Sequence, residues 1–239
     1  MKLPISFGIL SMGSPLTLKN TLQSYVDSKL FNLSDDVSIF FQNVTEEDLN
    51  IASEYNINSV ISSSGNIGIG KALTALCQKA KNKYWMGLEN DWENIHDPYL
   101  TTSRVTAGIH LLESGKADAI RFRSRRYPGS PLYTTTYMGR EMDSPMHLIE
   151  CAFWRENPDV DFPEYIQKDI DTGFYIADSK YANFTNNPTL YSSQFYIDNV
   201  SPFSGNLIDL EGKIETFWKE GNFKVAMGEG LFCHTRLDR

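Results

Sequence analysis

Tyr84-Trp85-Met86-Gly87-Leu88-Glu89-Asn90-Asp91-Trp92-Glu93-Asn94 is the stretch on which the reading of this chain turns. Its opening apolar run, rich in aromatics and too short for a helix, reads as a strand covered on both faces, as central strands of a parallel sheet are. The run then ends in acid. Glu89, Asp91 and Glu93 occupy alternate positions, so an extended chain would carry their carboxylates away from the strand's C-terminal end on one side. That end is where open α/β sheets bind ligands. Carboxylates crowded at a sheet edge repel one another unless a cation lies between them, and hard oxygen donors suit Mg2+ or Mn2+. The expectation is a divalent ion holding a phosphorylated substrate; the plainer alternative is an acidic loop that opens the next helix.

On the N-terminal side the strand is preceded by three β-α units. Ile5 to Leu10 reads as a strand closed by Ser11-Met12-Gly13-Ser14-Pro15, and Leu16, Leu18, Leu22, Tyr25 and Val26 recur at helical spacing after it. Ser14 is placed to cap that helix, with Pro15 at its first position, where a missing N–H costs nothing. Val37 to Phe41 is the second strand, ending in Gln42-Asn43, and Thr45 with Asp48 makes a capping-box start for a second helix. Asn58 to Ser62 is a third, weaker strand; the turn Gly65-Asn66-Ile67-Gly68-Ile69-Gly70 leads into a helix over Lys71 to Lys81. Such alternation predicts a parallel sheet with right-handed crossovers.

On the C-terminal side a helix follows Asp97-Pro98 and ends near Gly115, and Ala117 to Phe122 reads as a strand. Arg121, Arg123, Arg125 and Arg126 crowd together next, which needs a local reason in a chain of net charge −8. They are either a solvated face, a dimer contact, or partners for phosphate or for the acidic motif. Between Tyr127 and Asn206 the alternation is lost, with hairpin-like pieces around Tyr133 to Tyr137 and Leu190 to Ile197. Asp209 to Glu220 reads as a helix carrying Ile214, Phe217 and Trp218 on one side, and Phe223 to Met227 as a last strand.

A chain of 239 residues with 41% hydrophobic content has material for a sizeable core, and one domain over 1–239 is expected, with 1–123 and 124–239 as its halves. The acidic balance argues against a nucleic-acid partner, because a phosphate backbone would be repelled. Cys77, Cys151 and Cys233 are odd in number and lack the C-x-x-C spacing of a zinc site or redox pair. With no signal-like N-terminus and no apolar run long enough for a membrane span, a cytoplasmic protein is expected.

The glycine-rich turn admits competing readings. Gly65-x-x-x-x-Gly70-Lys71 matches a phosphate-binding P-loop up to its last position, where Ala72 stands in place of the Ser or Thr whose hydroxyl holds magnesium. Gly68-x-Gly70, with Glu89 21 positions after Gly68, is a degraded dinucleotide fingerprint lacking its third small residue. In either case the amides at the start of the following helix favour phosphate.

Asn66-x-Gly68, the helix with Lys71, Ala72, Leu73 and Ala80, the Tyr84 to Leu88 strand and Glu89-Asn90-Asp91 together resemble the central block of family 2-type glycosyltransferases of the GT-A fold. The opening Ile5 to Tyr25 resembles the first β-α unit of those enzymes. The closing Asp209-x-Glu211, helix, Gly221, strand and His234 is similar to their late acid, helix, glycine, strand and histidine. The resemblance covers most of 5–123 and 205–236. It implies a Rossmann-like, mostly parallel sheet flanked by helices, with an irregular acceptor-side half. It implies a nucleotide diphosphate sugar, UDP- or GDP-linked, bound around Ser11, Gly13, Asn43, Asn66, Gly68, Lys71, Glu89, Asn90, Asp91 and Arg121. It further implies Mn2+ or Mg2+ held by Glu89, Asp91 and His234, and a carbohydrate or glycoconjugate acceptor activated by Asp209 or Glu211 in an inverting reaction. Two positions depart from the pattern: Glu89 stands where Asp is usual, and Asn43 follows the second strand where an Asp often reads the nucleotide. A P-loop-like NTPase or a sugar nucleotidyltransferase is the alternative.

Overall fold

Strand β4 (Tyr84–Glu89) lies inside a sheet, between β1 (Ile5–Ser11) and β11 (Thr189–Ser192). The structure is a computed structural model that describes residues 2–130, 136–137, 140–141, 155–205 and 210–238. β1 pairs in parallel with β4 and with β2 (Asp36–Gln42), and β2 pairs in parallel with β3 (Ser59–Ser63). β11 runs antiparallel to β4 and to β6 (Ala119–Arg123). β6 pairs in parallel with the closing strand β12 (Lys224–His234), and β10 (Tyr175–Asp178) and β9 (Ile166–Lys168), the latter preceded by the one-turn helix α5 (Pro158–Asp161), extend the sheet antiparallel. The order is β3-β2-β1-β4-β11-β6-β12-β10-β9, with β5 (Trp92–Asn94) paired to the end of β12. A separate short ladder joins β7 (Thr136–Tyr137) to β8 (Arg140–Glu141).

Alternation along β1 and β4 sorts side chains to two faces. Ile5, Phe7, Ile9, Tyr84, Met86 and Leu88 pack with Val37, Ile39 and Phe41 beneath α1 (Pro15–Asp27), α2 (Glu46–Ser53) and α4 (Pro98–Glu113). Leu10, Phe40 and Trp85 face α3 (Ile69–Lys79), α6 (Ser193–Asn199) and α7 (Leu210–Glu220). Each such side chain, fully removed from water, contributes roughly 1.5–3 kcal/mol. Trp85 explains two glycines at the centre of the sheet. Gly8 and Gly87 are cross-strand partners, and a Cβ on either would stand 2.7 Å from the Trp85 indole. The indole therefore lies where side chains would otherwise be.

Two local expectations are corrected. The Thr45–Asp48 capping box forms at α2, but Ser14 does not cap α1. Ser14 is left-handed, with φ 59, and its hydroxyl donates to the Asp238 carbonyl at 3.1 Å. The first amides of α1, Leu16 N and Thr17 N, donate instead to the Asp238 carboxylate, each at 2.9 Å. A carboxylate suits a helix N-terminus whichever part of the chain supplies it. Asp238→Ala is expected to cost about 1 kcal/mol, a fall of roughly 2–4 °C in melting temperature; an unmoved melt would show that the contact carries no weight. The second correction concerns Leu190 to Ile197, which is no hairpin: β11 passes directly into α6, where Ser192 Oγ accepts from Phe195 N at 3.0 Å. Tyr133 to Thr135 of the other hairpin-like piece lie outside the described residues, as do Cys151 and Asp209. β12 is also longer than Phe223 to Met227, running to His234 across a register shift between Met227 and Phe232. Among the described residues no helix is long and apolar enough to cross a membrane.

Candidate functional site

Because β1 to β4 run parallel, their C-terminal ends share one edge of the sheet. Ser11 ends β1 fully buried, and among the described residues its hydroxyl has no partner. Gln42 ends β2 and accepts Ile67 N at 2.7 Å, tying the glycine-rich turn to the strand, while Asn43 adopts φ 52 beyond it. Asn66 Oδ1 accepts Gly68 N at 2.8 Å, so Asn66 folds the turn that leads into α3. Lys71 stands exposed in the first turn of that helix. Ala72, where a P-loop would place its metal-holding hydroxyl, is fully buried.

At β4 the chain does not stay extended through its acids. It turns at Asn90 and Asp91, where Asn90 N donates to Leu10 O at 2.9 Å and Asn90 Nδ2 to Gly13 O at 3.1 Å. β5 then pairs antiparallel with β12, matching Trp92 to His234 and Glu93 to Cys233. Alternation thus sends Glu93 to the face opposite His234, which corrects the expectation of three carboxylates on one side. Trp92 packs on the His234 ring with centroids 4.8 Å apart.

Asp91 is the centre of the edge. It is buried, and its Oδ2 accepts from His234 Nε2 at 3.0 Å and from Arg236 Nε at 2.6 Å, while its backbone carbonyl accepts Thr235 N at 2.8 Å. Burial alone would raise its pKa, but the hydrogen bonds and charges of His234 and Arg236 outweigh it and hold the carboxyl below the usual range. Its other oxygen, Oδ1, is buried without a partner among the described residues. Such an oxygen is costly unless something meets it.

Glu89 has the opposite electrostatics. Burial, then the charges of Asp91 and Glu211, push its carboxyl up to about 8 against the pull of Arg236. Glu211, in the first turn of α7, is thereby within electrostatic reach of Glu89, and its Oε1 accepts Asn186 N at 2.7 Å. A carboxyl raised on folding stays protonated in the folded chain over a range where the unfolded chain has already ionised. Stability attributable to Glu89 therefore falls as pH climbs from about 4.5 to about 8. Glu89→Gln is expected to raise the melting temperature more at pH 8 than at pH 5; an equal change at both would contradict the raised carboxyl.

The fit of a hard cation rests on the same atoms. His234 Nδ1 meets the Ser130 carbonyl, a contact of the kind that orients a ligating imidazole, and an ion bound at Nε2 would take the place of the proton that Asp91 Oδ2 accepts there. With the vacant Oδ1 of Asp91 this supplies two donors of suitable type. As placed, no three His, Cys, Asp or Glu side chains among the described residues could hold an ion together. Glu89 would have to ionise to join.

The arginine cluster is not a solvated face. Arg121 and Arg123 are buried; Arg121 donates to Asn183 O, and Arg123 Nε to Pro128 O at 3.0 Å with its guanidinium over Trp92. Arg125 pairs with Glu229 at 3.3 Å and lies over Tyr175, and Arg126 is exposed. Asp209 lies outside the described residues. Sequence reasoning missed Arg236 and Asp238. Arg236 follows His234 by two positions, a spacing that puts both on one side of an extended chain, and this was the available signal.

No family model matches the sequence, and no curated protein matches it. Solved structures do. The 1–349 segment of S. aureus TarS, a GT-A-type glycosyltransferase, matches with TM-score 0.56 at 12% identity, over 96% of this chain and 60% of that one. Whole TarS matches with TM-score 0.59 at 12% identity, over 98% and 37%. The 1–349 segment in complex with UDP-GlcNAc matches with TM-score 0.55 at 11% identity, over 98% and 59%. This chain thus spans about 60% of the TarS segment and little more than a third of whole TarS. The mostly parallel sheet, the flanking helices and these matches agree with what the sequence resembles: the chain has the GT-A fold.

Proposed function

We propose that this chain is a glycosyltransferase that moves a hexosyl or pentosyl unit from a UDP- or GDP-sugar to a hydroxyl of a carbohydrate or glycoconjugate. The observation that carries the reading is the convergence of Glu89, Asp91, Glu211, His234 and Arg236, from separate stretches of sequence, at the C-terminal edge of a GT-A sheet. TarS structures in complex with UDP and with UDP-GlcNAc support a nucleotide-sugar donor. Asp91 and His234 are the residues that would hold Mn2+ or Mg2+, with Glu89 as a third donor once ionised. Bound there, the ion would neutralise charge that develops on the departing diphosphate.

The remaining roles belong to the chain's own residues. Ser11, Gly13 and Asn43 line the edge where the nucleoside would lie, and Asn66, Gly68 and Lys71 border it at the start of α3. Arg121 is buried against Asn183 O and serves the site indirectly, by holding that loop. Glu211, fixed by Asn186 N, takes the proton of the attacking hydroxyl opposite the leaving group, which makes the reaction inverting; Asp209 is the rival for that role. While protonated, Glu89 can donate a hydrogen bond to a sugar or ribose hydroxyl. The NTPase reading is disfavoured because the buried Ala72 offers no hydroxyl.

A donor-hydrolysis screen across UDP-, GDP- and dTDP-sugars with Mn2+ tests the reading. Release of nucleoside diphosphate and free sugar from at least one donor is expected. Release from none, with ATP hydrolysis that Lys71→Ala abolishes, would transfer the case to an NTPase.

A further inference from the structure

Arg236 shares one carboxylate oxygen with His234, and it is held there from both sides. Thr235 N donates to Asp91 O at 2.8 Å before it, and Leu237 N donates to Thr17 Oγ1 at 2.9 Å after it. Asp238 then clasps Leu16 N and Thr17 N of α1. The backbone is thus pinned across the edge, while the Arg236 side chain remains 39% exposed. Only its Nε is spent on Asp91, at 2.6 Å, and among the described residues the outer fork of the guanidinium makes no hydrogen bond that would compete with a ligand. Asp91 and Glu211 both lie within electrostatic reach of Glu89, and the charge of Arg236 opposes theirs there. An anionic ligand entering this edge meets repulsion unless cations outnumber the acids.

From this geometry we infer that Arg236 is an exchangeable counter-ion, which holds Asp91 when the site is empty and passes to the diphosphate when a divalent ion takes Asp91. The inference rests on the proposed function. A divalent ion at Asp91 Oδ1 and the guanidinium at Oδ2 would draw on the charge of one carboxylate, and each repels the other. Once displaced, the guanidinium requires an anion, and its planar fork matches a phosphate's oxygens. The ion therefore binds weakly alone and strongly with the donor, and the donor does likewise, because coupling between two ligands is reciprocal. Arg236 is a binding and positioning residue in this scheme and takes no part in bond making.

The test uses Mn2+ alone and UDP as probes, titrated into the wild-type chain and into Arg236→Met, with Arg236→Gln as a second variant and melting curves to confirm folding. Removal of the competitor is expected to tighten binding of Mn2+ alone about tenfold and to weaken UDP binding at saturating Mn2+ about tenfold. Mn2+ affinity that stays level or falls, or UDP affinity that does not fall, overturns the inference. Failure of the underlying function would look different: the wild-type chain itself would bind no UDP with or without Mn2+.

Discussion

Asp91→Asn is expected to lower glycosyl transfer at least about 10^3-fold and to weaken UDP binding in the presence of Mn2+. The substitution keeps the shape of the side chain, so packing beneath Trp92 and β12 survives. What it removes is charge. Asp91 accepts from His234 and Arg236 through one oxygen and leaves the other buried and unpartnered. An amide can replace one acceptor but must turn its NH2 towards donors or into the vacant position, where a cation would be repelled. The same change also carries a stability signature. The Asp91 carboxyl is held below its usual range, so its contribution is present above the unfolded carboxylate pKa and is lost as pH falls through the lower folded value. Asp91→Asn is therefore expected to cost roughly 1–3 kcal/mol at pH 7, from the loss of charge-assisted hydrogen bonds, and much less near pH 3. Transfer measured with saturating donor, together with melts at the two pH values, checks both parts. Full activity in Asp91→Asn would remove Asp91 from the centre of the site.

Glu211→Gln is expected to reduce kcat by about 10^2–10^4-fold while leaving UDP affinity within a factor of about three, as befits loss of a general base that does not hold the donor. Gln keeps an oxygen able to accept Asn186 N, so the 184–187 loop should stay in place and the melting temperature should change little. Asp209→Asn, measured alongside, separates the two candidates. If Asp209→Asn carries the large loss and Glu211→Gln does not, the base is Asp209 and Glu211 serves to position the loop. A loss of UDP affinity equal to the loss of kcat would instead place Glu211 on the donor.

The core of the fold was legible because its elements are local in sequence. Tyr84 to Leu88 forms a central strand since no polar residue interrupts it, and the three preceding β-α units follow from helical spacing and short connections. The Thr45–Asp48 box needed only four consecutive residues to be seen. The errors arose where distant segments overrule local preference. Ser14 has a capping side chain, yet Asp238 takes the amides of α1 from the far end of the chain. The alternation of Glu89, Asp91 and Glu93 held only on the assumption of an extended strand; the turn at Asn90, tied to Leu10 and Gly13, breaks it. The meeting of Asp91 with His234 was anticipated from resemblance, whereas nothing in spacing could show it, since those residues are 143 positions apart. Arg236 escaped notice for the opposite reason: it is visible in sequence, but one arginine near a chain end carries no pattern until Asp91 is placed beside it. The cationic run at Arg121 to Arg126 was legible as unusual, and only the fold shows that much of it is used to hold loops.

A crystal structure with UDP and Mn2+ is the measurement that bears most directly on the nucleotide-sugar site. An anomalous manganese signal is expected between Asp91 Oδ1, His234 Nε2 and the diphosphate, with the uridine lying over the ends of β1 and β2. Uridine seated elsewhere on the chain, or manganese away from Asp91, would contradict it.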